Sequence, residues 1–91
     1  MLRLMIVDDE QIIREALSSM IDYTSLGYEV IATAKNGMEA YDRIRDDYPD
    51  VVITDIKMPI LNGLELIERA SRIDSRITFI LLSGYGEFEY A

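Results

Sequence analysis

Apolar residues fall into two rhythms that alternate along the chain. Leu4-Met5-Ile6-Val7 is a short unbroken run stopped by Asp8, the pattern of a buried strand. Residues 10–23 follow with Ile12, Ile13, Ala16, Leu17, Met20 and Ile21 recurring on one face of a helix. Leu26-Gly27 makes a turn, and Val30-Ile31-Ala32-Thr33-Ala34 is a second short strand. Asn36, with Glu39 three residues on, predicts a capped helix start. That helix runs to about residue 47, because Tyr48 precedes Pro49 and a residue before proline avoids helical angles. Val51-Val52-Ile53-Thr54 is a third strand, β-branched throughout. Lys57-Met58-Pro59 opens a loop, and Asn62-Gly63-Leu64-Glu65 repeats the start signal for a third helix that buries Leu66, Ile67, Ala70 and Ile73. Residues 77–82 read as a fourth strand, 83–86 as a loop, and 87–91 as a fourth helix just starting.

Strands that alternate with helices predict an α/β fold: a parallel sheet with right-handed crossovers and helices on both faces. The strands lack polar alternation, as both-sided burial requires. Open sheets of this kind bind ligands beyond the carboxyl ends of their strands. Asp8, Asp9 and Glu10 follow the first strand, Lys35 the second, Asp55 the third, and Ser83 and Gly84 the fourth. If the first and third strands are neighbours, Asp8, Asp9 and Asp55 converge. Converging carboxylates repel unless a cation sits between them, and Mg²⁺ takes one or two carboxylates together with waters and phosphate oxygens. A carboxylate there can also act as a nucleophile toward a phosphoryl group, with the Ser83 hydroxyl donating to a phosphoryl oxygen. Taken alone, Asp8-Asp9 reads first as a pair of acids capping the first helix; what favours a site is that all the acids meet at the expected ligand edge.

Composition narrows the chemistry. The chain has no histidine and no cysteine, which removes the histidine-based triads, thiol catalysis, zinc ribbons and disulfides. A net charge of −8, from 17 acids and 9 bases, disfavours contact with nucleic acid or an anionic membrane. No apolar run approaches a membrane span, and the N-terminal run is too short for a signal peptide, so a cytoplasmic location is expected. Ninety-one residues allow one domain.

Three motifs carry a family resemblance. Val7-Asp8-Asp9-Glu10, then Thr54-Asp55-Ile56-Lys57-Met58-Pro59 with Gly63, then Leu82-Ser83-Gly84-Tyr85 are similar to the receiver domain of two-component response regulators, in order and over the whole chain. The ending Ser-Gly-Tyr-Gly-Glu-Phe-Glu-Tyr-Ala resembles members with an AraC-type DNA-binding output domain. The resemblance implies a flavodoxin-like doubly wound sheet, here four strands in the order 2-1-3-4. It implies that Asp55 is the phosphoacceptor, Asp9 the direct Mg²⁺ ligand and Asp8 the acid that reaches the metal mainly through water. The backbone carbonyl of Lys57 would be the third protein ligand. Ser83 would be the switch hydroxyl, Gly84 the small residue that leaves room for a phosphodonor, and Pro59 and Gly63 the residues that shape the loop after Asp55. The partner would be a sensor histidine kinase, and the role that of a signalling module, not a turnover enzyme, that switches a transcriptional output domain without itself touching nucleic acid.

One departure stands out. The family's fifth strand ends in a lysine that pairs with the phosphoryl oxygens, and it carries an aromatic that swings inward on activation; neither Lys35 nor Lys57 matches that lysine. Residues 1–91 are therefore expected to form a single partial receiver domain with an impaired switch. The fourth strand would be an exposed edge, through which the chain self-associates. The alternative is a non-signalling fold fragment. An aspartate-nucleophile phosphatase is disfavoured, because Asp55-Ile56-Lys57 lacks the second acid of an Asp-x-Asp pair.

Overall fold

The computed structural model describes residues 1–82; the expected loop at 83–86 and helix start at 87–91 lie outside the described residues. Four strands, β1 (Leu2–Val7), β2 (Tyr28–Ala34), β3 (Val51–Asp55) and β4 (Thr78–Leu82), alternate with three helices, α1 (Gln11–Ser19), α2 (Gly37–Asp47) and α3 (Gly63–Ile73). All pairings are parallel and the sheet order is β2-β1-β3-β4, as the family resemblance implies. The central strand β1 therefore has β2 on one side and β3 on the other.

Successive residues of β1 serve two different cores. Met5 and Val7 join Val52 against Ala40 and Ile44 of α2 and Leu66 and Ala70 of α3. Leu4 and Ile6 face the other way, with Val51 and Tyr23. Both inner helices start as the sequence predicts. The Asn36 side chain accepts from the Glu39 amide (2.8 Å), and Asn62 and Glu65 form a complete reciprocal capping box. Helix α2 ends at Tyr48 with a left-handed backbone (φ 49°) before Pro49. In α3, Leu66 and Ala70 are buried while Ile67 and Ile73 are half-buried.

Helix α1 departs from expectation. It ends at Ser19, short of residue 23: the Met20 amide makes the last helical bond, to the Ala16 carbonyl, and the Leu17 carbonyl accepts from the Tyr23 hydroxyl instead. The Ser18 and Ser19 hydroxyls donate back to the carbonyls of Arg14 (2.7 Å) and Glu15 (2.8 Å). A 3-10 turn at Thr24–Leu26 then closes on Gly27, whose φ of 87° only glycine adopts freely. The apolar stripe nevertheless continues into Met20 and Ile21, which is why periodicity overran the helix. Among the described residues that stripe is largely uncovered: Ile12 is 79% and Met20 81% exposed. Beside it, Leu4, Ile21, Tyr23, Val51, Ile53 and Ile80 line an apolar groove of about 230 Å³.

Tyr23 pins the end of α1, its hydroxyl donating to the Leu17 carbonyl at 2.6 Å. Burial raises the phenol above its ordinary value of 10.0, because a phenolate there would be poorly solvated. The folded chain thus holds this proton more tightly than the unfolded chain. The stabilisation is complete below the unfolded value and is lost as pH rises through the folded one. Urea midpoints measured between about pH 8 and pH 11 are expected to fall at the alkaline end. Tyr23→Phe should flatten that limb, and an equally steep limb in the variant would rule Tyr23 out as its source.

Candidate functional site

Residues Val7 and Thr54 are register partners on β1 and β3, so the next residue on each strand, Asp8 and Asp55, leaves the same sheet edge side by side. Asp9 follows Asp8 at the start of the turn into α1. One carboxylate oxygen from each of Asp8, Asp9 and Asp55 lies within 4.8 Å of the others. The three acids that the sequence places at strand ends therefore meet. Asp8 is buried, Asp55 half-buried and Asp9 exposed. Charges this close repel by about 3 kcal/mol per pair at an effective dielectric of ~20, less for the solvent-screened Asp9. Such a cluster favours a hard cation, whose preferred donors are carboxylate and carbonyl oxygens of the kind gathered here.

Hydrogen bonds with the backbone hold Asp8 and Asp55. The Asp8 amide donates to the Ala34 carbonyl (3.1 Å), and Asp8 Oδ1 accepts from the Glu10 amide (2.9 Å). The Arg14 guanidinium donates to the Asp8 carbonyl at 2.8 Å. Asp55 Oδ1 accepts from the Ile56 amide (2.8 Å), and the fully buried Thr54 hydroxyl donates to the Asp55 carbonyl (2.9 Å).

The loop after Asp55 is anchored at both ends. Met58 and Leu61 sink into the larger core at 8% and 2% exposure, leaving Lys57 and Pro59 exposed. Between them the Leu61 amide donates to the Pro59 carbonyl (2.8 Å) across Ile60, whose φ is 73°. This is the tight three-residue turn that a β-branched residue adopts only under strain. The Gly63 amide then donates to the Ile56 carbonyl (2.8 Å), drawing the start of α3 under the site. A Cβ on Gly63 would sit on the Asp55 carbonyl oxygen, so the close approach requires glycine. Gly37, at the start of α2, meets the Leu61 backbone in the same way.

Sequence reasoning singled out Asp8, Asp9, Asp55, Pro59 and Gly63 but passed over Arg14, Gly37 and Leu61. The loop after Asp55 also carries Ile56, Met58 and Ile60, so no local pattern singled out Leu61 as the one that sinks into the core. Nothing local marked Arg14, whose partner is a backbone carbonyl. Ser83 and Gly84 lie outside the described residues.

Comparison with known proteins agrees with this fold. The response regulator receiver domain family matches residues 4–91. The transcriptional regulatory protein YesN of Bacillus subtilis is 47% identical over 91 residues, all of this chain but 25% of the relative's length. The receiver domain of AraT, a response regulator from Geobacillus stearothermophilus, superposes with a TM-score of 0.92 at 37% identity, covering 98% of this chain and 69% of that one. A chain of the CheX-CheY-BeF3-Mg complex from Borrelia burgdorferi superposes with a TM-score of 0.84 at 28% identity, covering 98% of this chain and 66% of that one. With the fold, the strand order and the match over residues 4–91 in agreement, the chain belongs to the response regulator receiver domain family.

Proposed function

We propose that residues 1–91 are the phosphoacceptor part of a two-component phosphorelay, a single partial receiver domain that takes a phosphoryl group on Asp55. The observation that carries this reading is the meeting of Asp8, Asp9 and Asp55 within 4.8 Å at the ligand edge of a parallel sheet. A carboxylate oxygen of Asp55 forms the new O–P bond as the donor's bond to phosphorus breaks. The donor leaves with its electron pair and takes up a proton. Asp8, Asp9, Asp55 and the Lys57 carbonyl would hold Mg²⁺, which supplies charge neutralisation on the transferring group. That the similar Borrelia chain was solved in a complex containing BeF3 and Mg supports a divalent cation here. Ser83 would serve as the switch hydroxyl and Gly84 as the opening for the phosphodonor.

The donor in this reading is a sensor histidine kinase, and the output is transcriptional, in keeping with the relative's name as a transcriptional regulatory protein. The module is a switch and not a turnover enzyme. No helix among the described residues is long and apolar enough to cross a membrane; a cytoplasmic location is part of the proposal.

Intact mass after incubation with Mg²⁺ and a small acyl phosphate tests the reading. One phosphoryl adduct on the parent and none on Asp55→Asn is expected. An adduct that persists in the variant would move the acceptor elsewhere. No adduct on either would mean that residues 1–91 do not make a working acceptor.

A second property of the isolated chain rests on a separate observation. Among the described residues β4 has a strand neighbour on one side only, and the apolar groove opens beside it. Self-association through this edge covers both, and light scattering over a concentration series reads it.

A further inference from the structure

Asp9 is exposed, so no packing holds its side chain in place. Its direction is set by the two peptide planes that flank its Cα. A peptide unit is planar, so fixing the Asp8 carbonyl oxygen fixes the plane that carries the Asp9 amide and Cα. Arg14 does this from one turn inside α1, its Nη1 donating to that oxygen at 2.8 Å. The following plane is held by the Glu10 amide, which donates to Asp8 Oδ1 at 2.9 Å. Glu10, the N-cap residue of α1, makes no side-chain cap bond, and Arg14 is the residue from within the helix whose side chain reaches back to the end of β1.

We propose that Arg14 is a positioning residue for the cation site: it clamps the Asp8–Asp9 peptide so that the Asp9 carboxylate faces Asp8 and Asp55. The inference rests on the metal-binding reading above and adds a residue to it. It also has a sign that separates it from simple electrostatics. Arg14 is a cation beside a cation site, so removing its charge should by itself tighten binding. Removing a clamp should weaken it, and losing a group that orients a metal ligand typically costs tenfold or more in affinity.

Calorimetric Mg²⁺ titration of the full chain, its Arg14→Ala and Arg14→Lys variants, and Arg43→Ala as a charge control tests this. Arg43 pairs with Asp47 on the exposed side of α2. Arg14→Ala is expected to weaken binding about tenfold and Arg14→Lys by less, since lysine keeps a donor on a long stem. Arg43→Ala should leave the affinity unchanged. In metal-free Arg14→Ala the amide resonances of Asp9 and Glu10 should move while those of α3 stay in place. A purely structural role would lower the melting temperature without touching either readout of the folded form. If Arg14→Ala binds Mg²⁺ as tightly as the parent, or more tightly, the clamp is overturned while the metal site stands. Should Arg14→Ala not fold, Arg14→Lys decides by the same comparison. A parent that binds no Mg²⁺ overturns both.

Discussion

Gly63→Ala is expected to destabilise the fold by roughly 2–3 kcal/mol, the upper part of the range for forcing atoms into a filled site. The new methyl would meet the Asp55 carbonyl oxygen and approach the Ile56 Cα to 3.0 Å and the Asp55 carbonyl carbon to 3.2 Å. These are backbone atoms, so no side chain can swing aside to relieve the clash. Either α3 slides outward, opening the packing of Leu66 and Ala70, or the end of β3 shifts and takes Asp55 with it. The gain in helix propensity from glycine to alanine, about 1 kcal/mol in a helix interior, is smaller at this first position, which is why the net effect stays unfavourable. For a domain of this size the change lowers the melting temperature by roughly 10–20 °C. Thermal melts followed by far-UV circular dichroism measure it, with Leu64→Ala, one residue away and 51% exposed, as a nearly neutral reference. A Gly63→Ala melt within a degree or two of the parent would show that the close approach is not needed.

A change of assembly is the second large effect. The 91-residue chain by itself is expected to associate as concentration rises, and Ile80→Lys to shift it toward monomer. Ile80 stands on β4, the edge strand among the described residues, at 46% exposure, and it lines the groove with Ile53 and Ile21. Single exposed hydrophobics are ordinary, but a contiguous groove next to a strand edge that has no partner among the described residues invites a second chain. A lysine there can lay its stem along the groove and keep its charge in water, costing the monomer little while obstructing a partner. Light scattering of both proteins reads the difference, and a parent that stays monomeric at every concentration ends the idea.

Most of the fold was legible because its determinants are local. The unbroken runs at Leu4–Val7 and Val51–Thr54 declare strands buried on both faces, and Asn36 and Asn62 announce helix starts that their side chains then cap. The site acids were legible for a topological reason: residues at strand ends share an edge, and Asp8 and Asp55 sit one position beyond register partners. What escaped depends on contacts that no local pattern encodes. The end of α1 is marked by the Tyr23 hydroxyl taking the Leu17 carbonyl and by a 3-10 turn, while the apolar stripe runs on through Met20 and Ile21. That stripe also misled about burial, since periodicity shows which face is apolar but not what covers it. Arg14 escaped because a long polar side chain on a helix gives no hint that it bonds a backbone carbonyl six residues back.

The place of β1 between β2 and β3 also governs how a ligand is felt by the folding equilibrium. Asp8 and Asp9 belong to the first strand–helix unit, while Asp55 arrives only with the third strand, after β2 and α2 have been laid down. No nascent or partly unfolded segment that lacks the β1–β3 pairing can bring the three carboxylates together. A cation bound by all three therefore selects the chain in which the central sheet has formed. By mass action it raises the free energy of unfolding that sheet, and not merely that of opening a loop, adding about 2.7 kcal/mol at a hundred times its dissociation constant.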